Sequence, residues 1–204
     1  MNEKFYSLPK EKQNRIINAG FRVFSQNSYK KSPMNEIAAE AGISKSLLFF
    51  YFKNKKELYL FLWKTVEEVT HRKLMESGCY EETDLFEMMY KGLLAKAEMF
   101  REYPDLGNFS VKAYYERDPE IREEMLNIIE PYTQLTTNVT LPHFDKEKYK
   151  DGIDLSLMYR DLYLASEGYM YEMAQNGEVD VDVMIEDYKK MIAFWKKLYL
   201  KKEV

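Results

Sequence analysis

Apolar side chains recur at helical spacing along most of this chain, and no segment shows the strict alternation of a β-strand. The pattern therefore predicts an all-α protein. The predicted helices cover about residues 10–26, 54–76, 82–101, 105–116, 118–140, 153–175 and 182–201, with two short helices between residues 32 and 52.

The two short helices have clear start and stop signals. Ser32 precedes Pro33, so it is predicted to cap a helix whose first position is Pro33 and which ends at Gly42. Ser44 is predicted to cap the second helix. A glycine turn with small residues beside it lets two helices cross at a steep angle, which is the geometry of a DNA-binding helix-turn-helix. An ordinary helical hairpin is the alternative interpretation.

The distribution of charge supports the DNA-binding interpretation, although the net charge of −4 alone would not. Residues 1–60 contain 11 Lys and Arg against 5 Asp and Glu, whereas residues 61–204 contain 19 against 29. The basic segment coincides with the predicted helix-turn-helix, as attraction to phosphates requires. No apolar run approaches the roughly 18 residues of a membrane span, and we expect a cytoplasmic protein.

Residues that could support catalysis or bind a metal are isolated. His71 and His143 belong to no recognised metal or catalytic motif, and Cys79 is the single cysteine. Structural or solvated roles are favoured for all three. We therefore predict a protein that is not an enzyme and has no cofactor and no metal.

The last two predicted helices have broad apolar stripes. The stripe residues are Leu155, Met158, Tyr159, Leu162, Ala165, Ser166, Tyr169 and Met173 on the first helix, and Met184, Tyr188, Met191, Ile192, Trp195, Leu198 and Tyr199 on the second. Such a helix pair suits a two-fold dimer interface, because DNA-binding helix-turn-helix proteins commonly read paired half-sites. The alternative is that both stripes belong to the intramolecular core.

The segment from Lys10 to Leu58 resembles the TetR family of bacterial transcriptional regulators, through IINAGFRVFSQNSY, MNEIAAEAGISKS and FYFKNKKEL. The resemblance implies a DNA-binding domain at residues 1–53 and a helical ligand-binding and dimerisation domain at residues 54–204. It also implies a homodimer that binds double-stranded operator DNA, usually as a repressor, and that a small molecule releases. The alternative is a constitutive DNA-binding protein without an effector.

Position by position, the resemblance implies that Ser44, Lys45, Ser46 and Leu47 open the recognition helix and face the groove. Phe49 and Tyr51 occupy positions near the DNA backbone, and Lys55 matches a phosphate-binding lysine at a helix start. The full set of predicted DNA-binding residues is Ser32, Pro33, Ser44, Lys45, Ser46, Leu47, Phe49, Phe50, Tyr51 and Lys55. The family often has Gly-Thr where this chain has Ser46-Leu47, so a different base preference is expected.

The predicted C-terminal domain is rich in side chains that suit a pocket for a small apolar or aromatic effector. Met adapts to irregular ligands, and Tyr combines apolar area with a polar tip. The candidate lining residues are Met88, Met89, Phe100, Phe109, Tyr114, Tyr115 and Tyr163. The alternative is that they form core.

Overall fold

The structure, a computed structural model, describes residues 3–135, 144–177 and 179–201. These residues form ten α-helices, two 3₁₀ turns and one isolated bridge between Tyr149 and Leu200, so the all-α prediction is confirmed. The helices are α1 (Glu3–Tyr6), α2 (Lys10–Gln26), α3 (Met34–Glu40), α4 (Lys45–Tyr51), α5 (Lys55–Glu76), α6 (Leu85–Glu102), α7 (Leu106–Tyr115), α8 (Arg122–Leu135), α9 (Leu155–Gln175) and α10 (Val181–Tyr199).

Short polar side chains cap several of the helices. The Asn54 side chain accepts a hydrogen bond from the Glu57 amide at 2.8 Å, and Asp154 and Asp180 each accept two amides at the starts of α9 and α10. These bonds satisfy amides that have no partner within their own helix. The helix predicted from residue 118 begins instead at Arg122. Its predicted end, like His143, lies outside the described residues.

The predicted cap at Ser32 is wrong. Pro33 occupies the cap position of α3, and no side chain caps that helix. The buried Ser32 hydroxyl donates instead to the Ser28 carbonyl at 2.9 Å, which closes the turn before α3. A serine hydroxyl can bond to the backbone on either side of it, and here the preceding turn has the nearer acceptor.

The chain divides into two compact units, which we describe separately. Unit 1 contains residues 3–68 and 103–130, and unit 2 contains the described residues of 69–102 and 131–201. The division passes within α5 and assigns α7 to unit 1. A division by packing does not establish which segment folds alone, so domains at residues 1–53 and 54–204 stay a prediction.

Unit 1 has an aromatic core. Phe109 of α7 packs its ring against Phe21, Phe24 and Tyr59 at centroid distances of 5.1, 6.3 and 5.3 Å. Gly20 lets α2 approach α5 closely, because a Cβ there would lie 2.6 Å from a methyl carbon of Leu62. The same helix, α2, also packs against α3.

Unit 2 has its own core, in which α6 packs against α10. Phe86, Met158, Leu162 and Trp195 all belong to one buried cluster. The buried members of the two predicted stripes are Met158, Leu162, Met184, Tyr188, Ile192 and Trp195. One chain therefore covers these six side chains itself, as the core alternative expects, whereas a dimer interface on the remaining sides of α9 and α10 stays a prediction.

Candidate DNA-binding site

The turn between α3 and α4 has the predicted conformation. Gly42 adopts a φ of +64°, in the left-handed region that favours glycine. Its amide donates to the Ala39 carbonyl, and the next amide, of Ile43, donates to Ala38 at 2.9 Å. Ala38 and Ile37 are buried beneath this turn. The residues form a helix-turn-helix with α4 as its second helix.

The Ser44 side chain caps α4 as predicted. Its hydroxyl oxygen accepts a hydrogen bond from the Leu47 amide at 3.2 Å and lies 3.0 Å from the Ser46 hydroxyl. Leu48 is fully buried and anchors the helix. The opposite side of α4 carries exposed side chains, which we call the recognition surface: Lys45, Ser46, Leu47, Phe49 and Phe50.

The other predicted DNA-binding residues differ in accessibility. Pro33 and Ser44 are exposed, and Lys55 is half-buried. Ser32 and Tyr51 are buried, and the Tyr51 ring packs against Phe5 at 6.2 Å. In this structure Ser32 and Tyr51 support the motif and do not project from it.

Lys55 connects α5 to the loop before α3. Its ammonium donates to the Lys30 carbonyl at 2.9 Å and to the Ser32 carbonyl at 3.5 Å. It also lies 4.9 Å from the centre of the Tyr29 ring, a cation–π distance. An ammonium has three N–H donors, so these two bonds leave one for a phosphate.

The short helix α1, which supports α4, was not predicted from the sequence. Phe5 is buried against Tyr51, Phe52 and Phe61. The Lys4 ammonium lies 4.0 Å from the centre of the Phe50 ring. The available signal was the aromatic pair at residues 5–6 shortly before a proline, but a four-residue helix has too few positions to show a period.

The turn between α7 and α8 is bonded to the loop before the helix-turn-helix. One Glu116 oxygen accepts the Tyr29 amide at 3.0 Å, and the other accepts the amides of Arg117 and Asp118. Burial, followed by a hydrogen bond to Glu120, raises the pKa of Tyr29. Tyr29 is therefore neutral at physiological pH and connects the aromatic core to this loop.

The seven candidate effector-binding residues lie in different units. Met88, Met89, Phe100 and Tyr163 belong to unit 2, whereas Phe109, Tyr114 and Tyr115 belong to unit 1. Phe109 is fully buried in the aromatic core of unit 1, and Met88 and Phe100 are also buried. The three tyrosines are exposed. A common effector pocket lined by these residues stays a prediction.

Membrane spans and clusters of metal-binding side chains are absent from the part of the chain that the structure describes. Within it, no helix is long and apolar enough to cross a membrane. The same residues contain no group of three or more His, Cys, Asp or Glu side chains that could hold a metal ion.

Residues 16–61 match the family model of bacterial regulatory proteins of the tetR family. The HTH-type transcriptional regulator YerO of Bacillus subtilis strain 168 is 28% identical over 181 residues, which are 84% of this chain. Those residues span only 59% of the length of YerO, less than two thirds of that relative.

Solved structures share the fold. A TetR family transcriptional regulator from Chloroflexus aurantiacus J-10-FL superposes with a TM-score of 0.72 at 21% identity, covering 98% of both chains. The transcriptional regulator FadR from Bacillus subtilis, solved in complex with stearoyl-CoA, superposes with a TM-score of 0.63 at 18% identity, covering 87% of this chain and 96% of FadR.

Proposed function

Because this chain belongs to the TetR family of bacterial regulatory proteins, we propose that it is a cytoplasmic, homodimeric repressor that a small apolar molecule releases from operator DNA. Its relatives are DNA-binding transcriptional regulators, and the chain is not an enzyme. The observation that carries the proposal is the recognition surface: a capped helix, anchored by Leu48, that leaves a lysine, a hydroxyl and apolar side chains accessible.

In this proposal, α4 enters the major groove of the operator. Lys45, Ser46 and Leu47 lie in its first turn, where a recognition helix contacts base edges. An ammonium and a hydroxyl can bond to base edges, and a leucine can contact a thymine methyl group. Lys55 contributes its remaining N–H to a phosphate, which positions the motif without reading the sequence.

For the dimer we propose a surface formed by exposed apolar side chains of the same two helices, only one of which, Leu198, belongs to the predicted stripes. Leu157, Leu164 and Tyr171 are exposed on α9 and are spaced by seven residues, so they share one side of the helix. Gly168 on the same side has open space around it, which lets another helix approach. On α10, Val183, Phe194 and Leu198 are exposed. We call these six apolar side chains the α9–α10 face.

For the effector we propose a molecule with a long apolar part, and stearoyl-CoA is the first candidate to test. FadR of Bacillus subtilis, which has this fold, was solved with that molecule. Met88, Met89 and Phe100 supply adaptable and aromatic side chains on α6 of unit 2. Release requires that the effector prefer a dimer state whose two recognition helices no longer match successive major grooves.

The first experiment selects a preferred duplex from a randomised DNA library with the purified full chain. Binding of that duplex is then measured by fluorescence anisotropy. We expect Lys45→Ala to weaken it about tenfold, whereas Lys96→Ala, which removes an exposed lysine of α6 in unit 2, leaves it unchanged. Equal DNA binding by both variants and the unmodified chain would contradict the proposal that α4 contacts DNA.

The second experiment titrates stearoyl-CoA into the complex of protein and selected duplex. A tenfold loss of DNA affinity requires only about 1.4 kcal/mol of coupling, and the duplex must weaken stearoyl-CoA binding by the same factor. Tight binding of stearoyl-CoA with no effect on DNA affinity would contradict the release mechanism. It would favour the constitutive DNA-binding alternative.

A further inference from the structure

We propose that unit 1 contains a small-molecule site of its own, a cavity of about 250 Å³ that accepts a planar aromatic cation. The cavity lies among α1, the C-terminal end of α4, α5 and α8, and every lining residue belongs to unit 1. This site is additional to the effector site proposed for unit 2, and the proposal does not depend on that one.

The walls of the cavity are aromatic. Phe61 is the central ring, and its centroid lies 5.1 Å from Phe5, 5.0 Å from Phe52 and 6.2 Å from Tyr6. Phe61 is half-buried and Tyr6 is exposed, so ring surface remains accessible from the opening. The faces of such rings carry partial negative charge and attract cations.

Two carboxylates and one ammonium accompany these rings. Glu57 and Glu68 line the cavity together with Lys64, whose ammonium lies 3.5 Å from a Glu68 oxygen. Tyr6 and Glu68 both line this cavity, and burial, followed by the charge of Glu68, raises the pKa of Tyr6. The three charged groups leave one negative charge within an otherwise basic segment. The cavity therefore favours a cation over an anion.

The size and position of the cavity further restrict the kind of molecule that it can hold. A volume of about 250 Å³ is slightly below the usual range for ligand sites, so it suits a few fused rings better than a long acyl chain. Phe52 is the C-terminal cap residue of α4, and Phe5 packs against Tyr51 of that helix. An occupant would therefore contact the side chains that support the recognition helix.

Proflavine is the probe for this proposal, because it is a flat three-ring cation at pH 8, and acridine is its neutral counterpart. Both are titrated into the full chain by fluorescence. We expect saturable proflavine binding and at least fivefold weaker binding of acridine. Glu68→Gln removes one partly exposed carboxylate with little change of shape, and should weaken proflavine about fivefold while leaving acridine unchanged.

Glu98→Gln is the matched control. Glu98 lies on α6 of unit 2, and its exposed carboxylate is near a lysine, like that of Glu68. We expect it to leave proflavine affinity unchanged. A second variant, Thr65→Phe, places a ring at a half-buried position in the wall of the cavity. It should abolish proflavine binding, which Glu68→Gln only weakens. Absence of saturable proflavine binding would overturn the proposal. Equal affinity for acridine, or unchanged affinity in Glu68→Gln, would do so as well.

Discussion

Two surfaces of this protein expose large apolar side chains, and their surroundings differ. On the recognition surface, Lys45 lies 5.9 Å from the Phe49 ring and Lys4 lies 4.0 Å from the Phe50 ring. On the α9–α10 face, Leu157 and Phe194 are 58% and 57% exposed, and charges of both signs are close by in sequence. Exposed apolar area alone does not identify a partner. Lysines at the rings favour a polyanion, whereas mixed charges favour a protein surface.

The largest expected effect comes from a substitution that disrupts association through the α9–α10 face. Phe194→Glu places a charge where we propose that another chain packs, so we expect the dimer dissociation constant to rise about 100-fold or more. DNA affinity should fall with it, because a monomer contacts only one half-site. Analytical ultracentrifugation at micromolar concentration measures the first effect, and anisotropy measures the second.

Lys189→Gln is the control for that substitution. It also lowers the charge of α10 by one, at an exposed residue that forms an ion pair with Glu186 and is not part of the α9–α10 face. Lys189→Gln should leave both the dimer dissociation constant and the DNA affinity unchanged. If Phe194→Glu still forms a dimer of normal affinity, the proposed face is not the interface.

The second prediction separates the two surfaces by their response to salt. If two lysines of each subunit contact phosphates, raising KCl from 50 to 200 mM should weaken DNA binding about 150-fold. Association through the apolar α9–α10 face should change by less than about threefold over the same range. Titrations of the unmodified protein at four salt concentrations measure both slopes. If DNA binding and dimer association showed similar salt slopes, the proposed difference between the two surfaces would be wrong.

Structure that depends on neighbouring residues could be predicted from the sequence. Local backbone chemistry explains the turn at Gly42, the cap at Ser44, the start of α5 beside Asn54 and the bounds of α2. Periodicity also identified every helix longer than five residues in the described part of the chain. The fold class could therefore be predicted from sequence alone.

Contacts between distant segments could not be predicted from the sequence. Phe109 was a candidate for an effector pocket, with core as the alternative, and it packs against Phe21, nearly ninety residues earlier in the chain. Trp195 lay on a stripe that was interpreted as dimer interface or as core, and it is 7% exposed within unit 2. Periodicity shows that a side of a helix is apolar. It does not show what covers that side.

The third prediction concerns Lys55, which contacts both the protein and, in our proposal, a phosphate. Lys55→Ala removes bonds to two carbonyls and the contact with Tyr29, so we expect a loss of about 1–2 kcal/mol of stability. This corresponds to a melting temperature lower by about 2–8 °C. DNA affinity should fall about tenfold, with a salt slope that is smaller by about 0.9 for each lost phosphate contact.

Lys56 provides a matched control for Lys55. It is the next residue of α5, and its ammonium pairs with Glu124 at 2.6 Å. Lys56→Ala should leave the salt slope of DNA binding unchanged. A lower melting temperature for Lys55→Ala, with the salt slope of the unmodified protein, would assign Lys55 a structural role alone.

The smallest expected effect separates two serines of the recognition helix that are two residues apart. Ser44→Ala removes the cap of α4 and should cost about 1 kcal/mol of stability. Ser46 caps nothing, so Ser46→Ala should leave the melting temperature unchanged and weaken the selected duplex about threefold, with relaxed preference at one base pair. Repeating the selection with each variant tests this difference. If Ser46→Ala selects the same sequence with the same affinity, the Ser46 hydroxyl does not contact a base, and the specificity of α4 must come from Lys45, Leu47 and the rings that follow.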